Sequence, residues 1–252
     1  MAFNTLPSRF SHLEKAARNY IAKQKALKQN PQDNEQPEIV EPQNPINPQT
    51  NLDKDNYIFV PSINLYVSRE RTHLNKDWYK THSLLHEENL RMPTIPEFIE
   101  FLKYTRENEQ ELFKEITEVR EPWRSNWLDA KFSEKDGKMF IAYNHYIDNE
   151  GNLQARNTEI LDNYLTEDRA PGIDLSDWLD NHNQFGLPTQ NSKQGDLLYW
   201  SPVDGRVARF GALSDCAYLG CNGDPSYGDS SLGVFACAEG AALENQTQGG
   251  NN

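Results

Sequence analysis

The chain has 252 residues, a formal net charge of −13 and a mean hydropathy of −0.83. Its length suits one large domain or two small ones, and its acidity excludes nucleic-acid binding through a general basic field. No apolar run reaches the length of a membrane span, and the first residues carry no apolar signal-peptide core. Three cysteines do not make a disulfide framework, so a reducing cytosol is the expected compartment, with a virion surface as the alternative for a viral gene.

Residues 1–29 are expected to hold a helix, because Phe10, Leu13, Ala17, Tyr20, Ile21 and Leu27 recur at helical spacing. A lone helix of that length is marginal in water, so it should dock on its own domain, a second copy or a larger assembly. Residues 30–56 form a linker in which Pro31, Pro37, Pro42, Pro45 and Pro48 alternate with Asn, Gln, Asp and Glu. With so little apolar surface to bury, this segment should be extended.

The folded domain is expected over 57–240, with 241–252 as a tail. Tyr57–Val60 and Ile63–Val67 read as strands and Asp77–Glu88 as a helix. The next helix begins on a capping box, Thr94 with Glu97, where hydroxyl and carboxylate satisfy backbone N–H groups reciprocally. Ile95, Phe98, Ile99 and Leu102 make its buried face, and a further helical run follows over Leu112–Val119. Trp127–Phe132 and Lys138–Tyr146 read as strands across the turn Glu134–Gly137. Residues 150–194 are polar and read as irregular apart from a short helix over Leu175–Leu179, and Gly195–Trp200 is a strand. Early helices followed by short strands and long loops give an α+β domain.

The closing stretch, Arg206–Ala238, starts and ends as strands. Gly211–Ala236 contains no Lys, Glu, Gln, Met or Trp, and is built from Gly, Ser, Asp, Asn, Tyr and Cys. It reads either as a small-residue surface loop or as a binding surface, since the same vocabulary serves antibody loops. In Ala217–Cys221, alternation turns Ala217, Leu219 and Cys221 inward and Tyr218 and Gly220 outward. Tyr218 and Tyr227 are therefore expected at the surface, beside Asn222 and Asp224.

Familiar catalytic motifs are missing. There is no phosphate-cradling Gly loop with a following Lys, no G-x-S-x-G elbow, and no second His four residues after His86. The six histidines are scattered and are expected as surface or packing residues, and Trp123 and Trp127 as core aromatics. Cys216 and Cys221, with four residues between them, are the one pair that suggests a soft metal ion or a redox couple. Each also reads as an ordinary small residue.

Four segments in order resemble the formylglycine-generating, sulfatase-modifying family. Arg91-Met92-Pro93-Thr94-Ile95-Pro96-Glu97-Phe98 is similar to that family's R-L-P-T-x-x-E-W, and Gly195–Trp200 to its G-N-V-W-E-W strand. Arg206-Val207-Ala208-Arg209 with Gly211 resembles R-V-x-R-G-G-S-W, and Leu232-Gly233-Val234-Phe235 resembles L-G-F-R. The resemblance spans about residues 57–238 and implies a C-type-lectin-like domain. Two departures weigh against its oxidase chemistry: Arg209-Phe210-Gly211-Ala212-Leu213 replaces the glycine-rich motif, and Leu-Leu-Tyr-Trp replaces a polar one.

Within that group the chain is more similar to the variable proteins of diversity-generating retroelements. There an error-prone reverse transcriptase randomises adenines in a template copy that replaces the 3′ end of the gene. AAC codons become NNC codons, which never encode Lys, Glu, Gln, Met or Trp. The resemblance implies fixed positions at Phe210, Ala212, Ser214, Asp215, Ala217, Leu219, Cys221, Pro225, Leu232 and Gly233. The implied diversified, ligand-binding positions are Gly211, Leu213, Cys216, Tyr218 and Gly220, then Asn222, Gly223, Asp224, Tyr227 and Gly228. The implied function is non-catalytic binding of a protein or surface ligand, without metal or cofactor. A copper-dependent oxidase using Cys216 and Cys221 is the competing function, and a structural virion component a further one.

Overall fold

The computed structural model describes residues 54–118, 121, 123–213 and 216–240. The expected N-terminal helix, nearly all of the linker, the tail, and the fixed positions Ser214 and Asp215 lie outside them. A short turn over Lys54–Asn56 leads into β1 (Tyr57–Val60) and β2 (Leu65–Ser68). These pair antiparallel, and β11 (Cys237–Glu239) adds to β2 to make a three-stranded sheet.

Three helices follow. α1 (Trp78–Glu87) starts where the Asp77 carboxylate accepts the Lys80 N–H at 2.7 Å, and it buries Trp78, Thr81, His82 and Leu85. α2 (Ile95–Asn108) begins on the Thr94–Glu97 capping box, with Pro96 in the first turn, where no backbone donor is needed. Arg91 reinforces that start: its guanidinium donates two parallel bonds to Glu97, at 2.8 and 2.7 Å. α3 (Gln110–Thr117) continues after a break at Glu109.

The rest is chiefly sheet. The strands are β3 (Arg124–Lys135), β4 (Lys138–Ile147), β5 (Leu153–Ile160), β6 (Arg169–Ile173), β7 (Leu197–Trp200), β8 (Val207–Ala212), β9 (Ala217–Gly223) and β10 (Leu232–Gly233). They form one eight-stranded mixed sheet in the order β5-β4-β3-β8-β9-β7-β6, with β10 parallel to the start of β3. A fourth helix, α4 (Leu175–Asp180), crosses between β6 and β7 in the chain.

The α+β, C-type-lectin-like expectation is corrected by this architecture, in which, among the described residues, strand outweighs helix by 39% to 22%. Two of the unforeseen strands, β5 and β6, fall in the segment read as irregular. β5 has one face half-buried and the other exposed, so its Gln, Arg, Asn and Glu residues conceal a strand that pairs with β4 over seven residues. The strand expected to end the Arg206–Ala238 stretch divides in two, β10 joining the large sheet and β11 the small one.

The main core lies on one face of the large sheet. Phe98 and Leu102 of α2 and Trp178 of α4 meet Phe210 of β8 and Leu219 and Cys221 of β9. The Trp178 and Phe210 rings stack with centroids 5.8 Å apart. Trp127 pairs with Arg209 across β3 and β8, which puts its side chain on the face opposite Phe210. There a smaller core of Trp78, Leu85, Met92, Trp127, Leu232 and Val234 seats α1. Among the described residues, no helix is long and apolar enough to cross a membrane.

Candidate functional site

β9 lies between β8, its antiparallel neighbour, and β7, its parallel one. Register aligns two rows across these strands: Gly211, Tyr218 and Leu198, then Arg209, Gly220 and Trp200. Because the inner-face positions Phe210, Leu219 and Tyr199 fill the main core, both rows belong to the outer face.

A pocket of about 460 Å³ opens over this face. Five candidate positions line it, Leu213, Tyr218, Asn222, Asp224 and Tyr227, together with Trp123, Trp200 and Arg209. The volume falls in the range of small-molecule or side-chain binding clefts, and the aromatic rings offer contact area at little conformational cost. Trp200 meets Tyr218 edge-on at 5.1 Å, and the Arg209 guanidinium carbon stands 5.5 Å over the Tyr218 ring. Arg209 Nε is buried without a hydrogen-bond partner.

The far wall is a loop fastened by backbone bonds. Pro225 O accepts from Trp78 N at 3.0 Å, and Asp229 O accepts from Asn75 N at 3.0 Å. Asp224 folds its own turn, its Oδ1 accepting from Ser226 N at 3.0 Å and Ser226 Oγ at 2.7 Å. Those bonds, with help from Arg206 at 3.4 Å, hold its carboxyl below the usual range.

No protein-family model, curated protein or solved structure matches the chain.

The expectation that Tyr218 is exposed is corrected: it points outward from the main core, yet only 2% of its surface reaches solvent. Trp200 and Arg209 cover the ring, and its phenol donates to Ser125 Oγ at 2.9 Å. Burial raises its pKa above the ordinary tyrosine value. Tyr227, in contrast, is 42% exposed.

The glycines divide in the same way. A Cβ at Gly211 would fall 2.6 Å from Arg124 O and 2.9 Å from the Tyr218 ring, and one at Gly223 would fall 2.9 Å from Val207 O. A Cβ at Gly220 would meet Asn222 Oδ1 at 3.4 Å and Trp200 and Tyr218 at 3.5 Å, and one at Gly228 would meet Asn75 O at 3.5 Å, all ordinary contacts. Leu213 and Cys216 are half-buried at the β8–β9 turn, where Leu213 N donates to Cys216 O at 2.8 Å.

Cys216 and Cys221 are not brought together as the ligand pair of an oxidase. Four residues lie between them, so an extended chain sets them about 16 Å apart. Cys221 is wholly buried in the main core, where desolvation pushes its thiol pKa up and disfavours the thiolate that a soft metal requires.

Trp200, Arg209 and Trp123 were not among the sequence candidates. The first two carried a legible signal, since a Trp and an Arg at outward positions of two core strands are out of place unless something covers or contacts them. Trp123, read as a core aromatic, packs half-buried against the smaller core and also lines the pocket.

Proposed function

We propose that this protein is a non-catalytic ligand-binding protein whose pocket over β7, β8 and β9 has a fixed floor and an exchangeable rim, diversified by a retroelement. That five of the ten implied positions, all within residues 213–227, line one pocket carries this reading. The floor is Tyr218, Arg209 and Trp200, together with the close-approach glycines Gly211 and Gly223. The rim is Leu213, Cys216, Gly220, Asn222, Tyr227 and Gly228; of its two glycines, Gly228 is exposed, whereas Gly220 is buried and admits a methyl at ordinary contact distance. Asp224 belongs to the wall, since its carboxylate is spent on its own turn.

A rim of this kind suits a protein or surface ligand that inserts a side chain between Trp200 and Tyr227. Arg209, on the pocket lining, offers a positive charge for an acidic or polar group on that ligand. Binding on a backbone already held by sheet and loop bonds avoids the cost of ordering it.

Sequencing the DNA around the gene tests the proposal. The expected result is a nearby copy of the last coding stretch, beside a reverse-transcriptase gene, differing only at adenines that map to the rim codons. A copy whose differences fall on Phe210, Leu219 or Gly211, or no copy at all, overturns it.

A further inference from the structure

Away from the pocket, α1, β3 and β4 bring together His82, Asp129 and His145. One potential ligand atom from each lies within 4.8 Å of the others. We propose that these three side chains bind one divalent transition-metal ion of the zinc class, which pins α1 to the large sheet.

The donor set selects the class of ion. Two imidazoles and one carboxylate are the borderline nitrogen and oxygen ligands that zinc, cobalt and iron(II) take, whereas calcium and magnesium require oxygen alone. With three protein donors, a tetrahedral ion keeps one position for water.

Three protein ligands and an open position are the pattern of catalytic zinc, but burial keeps a substrate from that position, so the role of the ion here is to hold the fold. Only 3% of the His82 and Asp129 side chains and 5% of the His145 side chain reach solvent. A carboxylate so enclosed needs a cation, and among the described residues its ion-pair partners are the two histidines, neither a Lys nor an Arg. His82 Nε2 is buried with no hydrogen-bond partner and stands 3.8 Å from Asp129 Oδ1, too far to bond it. A buried polar nitrogen left in this state costs free energy that an ion between it and the carboxylate would recover.

The surroundings also fit. Asp129 Oδ2 accepts the His145 backbone N–H at 2.9 Å, which fixes the carboxylate and turns Oδ1 toward the two rings. His145 Nδ1 is hydrogen-bonded to that oxygen, a contact that a bound ion would replace by ligating both atoms. Trp78 walls the cluster edge-on, its ring 4.3 Å from His82 and 4.9 Å from His145. The backbone makes room at the same place: β3 has a bulge between Trp127 and Lys131, and Asn144 takes a φ of 56° just before His145.

Untagged full-length protein, stripped with a chelator and titrated with zinc alone, provides the test, with metal content measured by mass spectrometry after dialysis. The expected result is one zinc per chain, a higher melting temperature and a change in tryptophan fluorescence from Trp78. His82→Gln should weaken zinc binding by at least about 100-fold, beyond what loss of an outer partner causes. His145→Gln replaces it if the helix variant does not fold. Wild-type protein that retains no stoichiometric zinc, or a folded variant that binds zinc as tightly as wild type, overturns the proposal.

Discussion

Tyr218 and Ser125 are joined by a buried hydrogen bond of 2.9 Å that spans 93 positions of sequence, and Ser125 passes it on to Phe210 O at 3.0 Å. The relay ties β9 to β3 across the intervening β8. A residue in such a relay holds the site rather than decorating it. Tyr218→Phe keeps the ring and removes one hydrogen bond, and should cost about 1 kcal/mol. Tyr218→Ser empties the floor and should cost about 3–5 kcal/mol, as large aromatic deletions do. Tyr227→Ser should stay within about 0.5 kcal/mol, as exposed substitutions do. Urea midpoints of the three variants measure this directly, and a tolerant Tyr218→Ser would return that residue to the rim.

The glycines make a paired prediction. Gly211→Ala should destabilise by about 1–3 kcal/mol, because its methyl would press on the Arg124 carbonyl and the Tyr218 ring and force β3 and β8 apart. Gly220→Ala should be neutral or stabilising by up to about 1 kcal/mol, since its methyl finds ordinary contacts and the unfolded chain loses freedom. Equal melting temperatures for the two variants would remove the distinction between floor and rim.

What the sequence made legible was local. Thr94 and Glu97 announce their helix because a capping box acts over three residues, and Ala217, Leu219 and Cys221 announce their inward face because alternation acts over two. What lay hidden depends on partners far along the chain. The covering of Tyr218 comes from Trp200 and Arg209 through strand pairing, and no pattern within β9 records it. His82 and His145 look scattered until α1 packs on β4. β5 escaped because its one half-buried face leaves too few apolar residues to mark a strand.

Acid should act through the start of α2. Burial alone would raise the Glu97 carboxyl, but the Arg91 fork and the Thr94 hydrogen bonds outweigh it and hold it below its usual value. The unfolded carboxyl titrates near pH 4.3, so the stabilisation is full above about that pH and is lost as pH falls through the lower folded value. Arg91→Gln should remove about 1.5–3 kcal/mol at neutral pH, and its stability should fall less than wild type's on acidification. Urea denaturation at neutral and acid pH decides this, and parallel losses in both proteins would show that the pair is not the acid-sensitive element.

Thiol reactivity separates the three cysteines. Cys221 and Cys237 are wholly buried, and desolvation pushes both thiols well above the ordinary value, so neither offers a thiolate in the folded state. Cys216 is only half-buried. A chromogenic disulfide reagent at mildly alkaline pH should therefore label Cys216 rapidly in native protein and the other two only on unfolding. Cys216→Ser should abolish the fast phase and leave stability within about 0.5 kcal/mol, as expected of an exchangeable rim position. Cys221→Ser places a hydroxyl in the main core beside Leu219 and should cost about 1–3 kcal/mol. Raised folded-state pKa values also mean that stability falls as pH rises past about 8.5, where unfolded thiols begin to ionise. Fast native labelling of Cys221, or equal stability losses from both serine variants, would contradict the assignment of one cysteine to the rim and the other to the core.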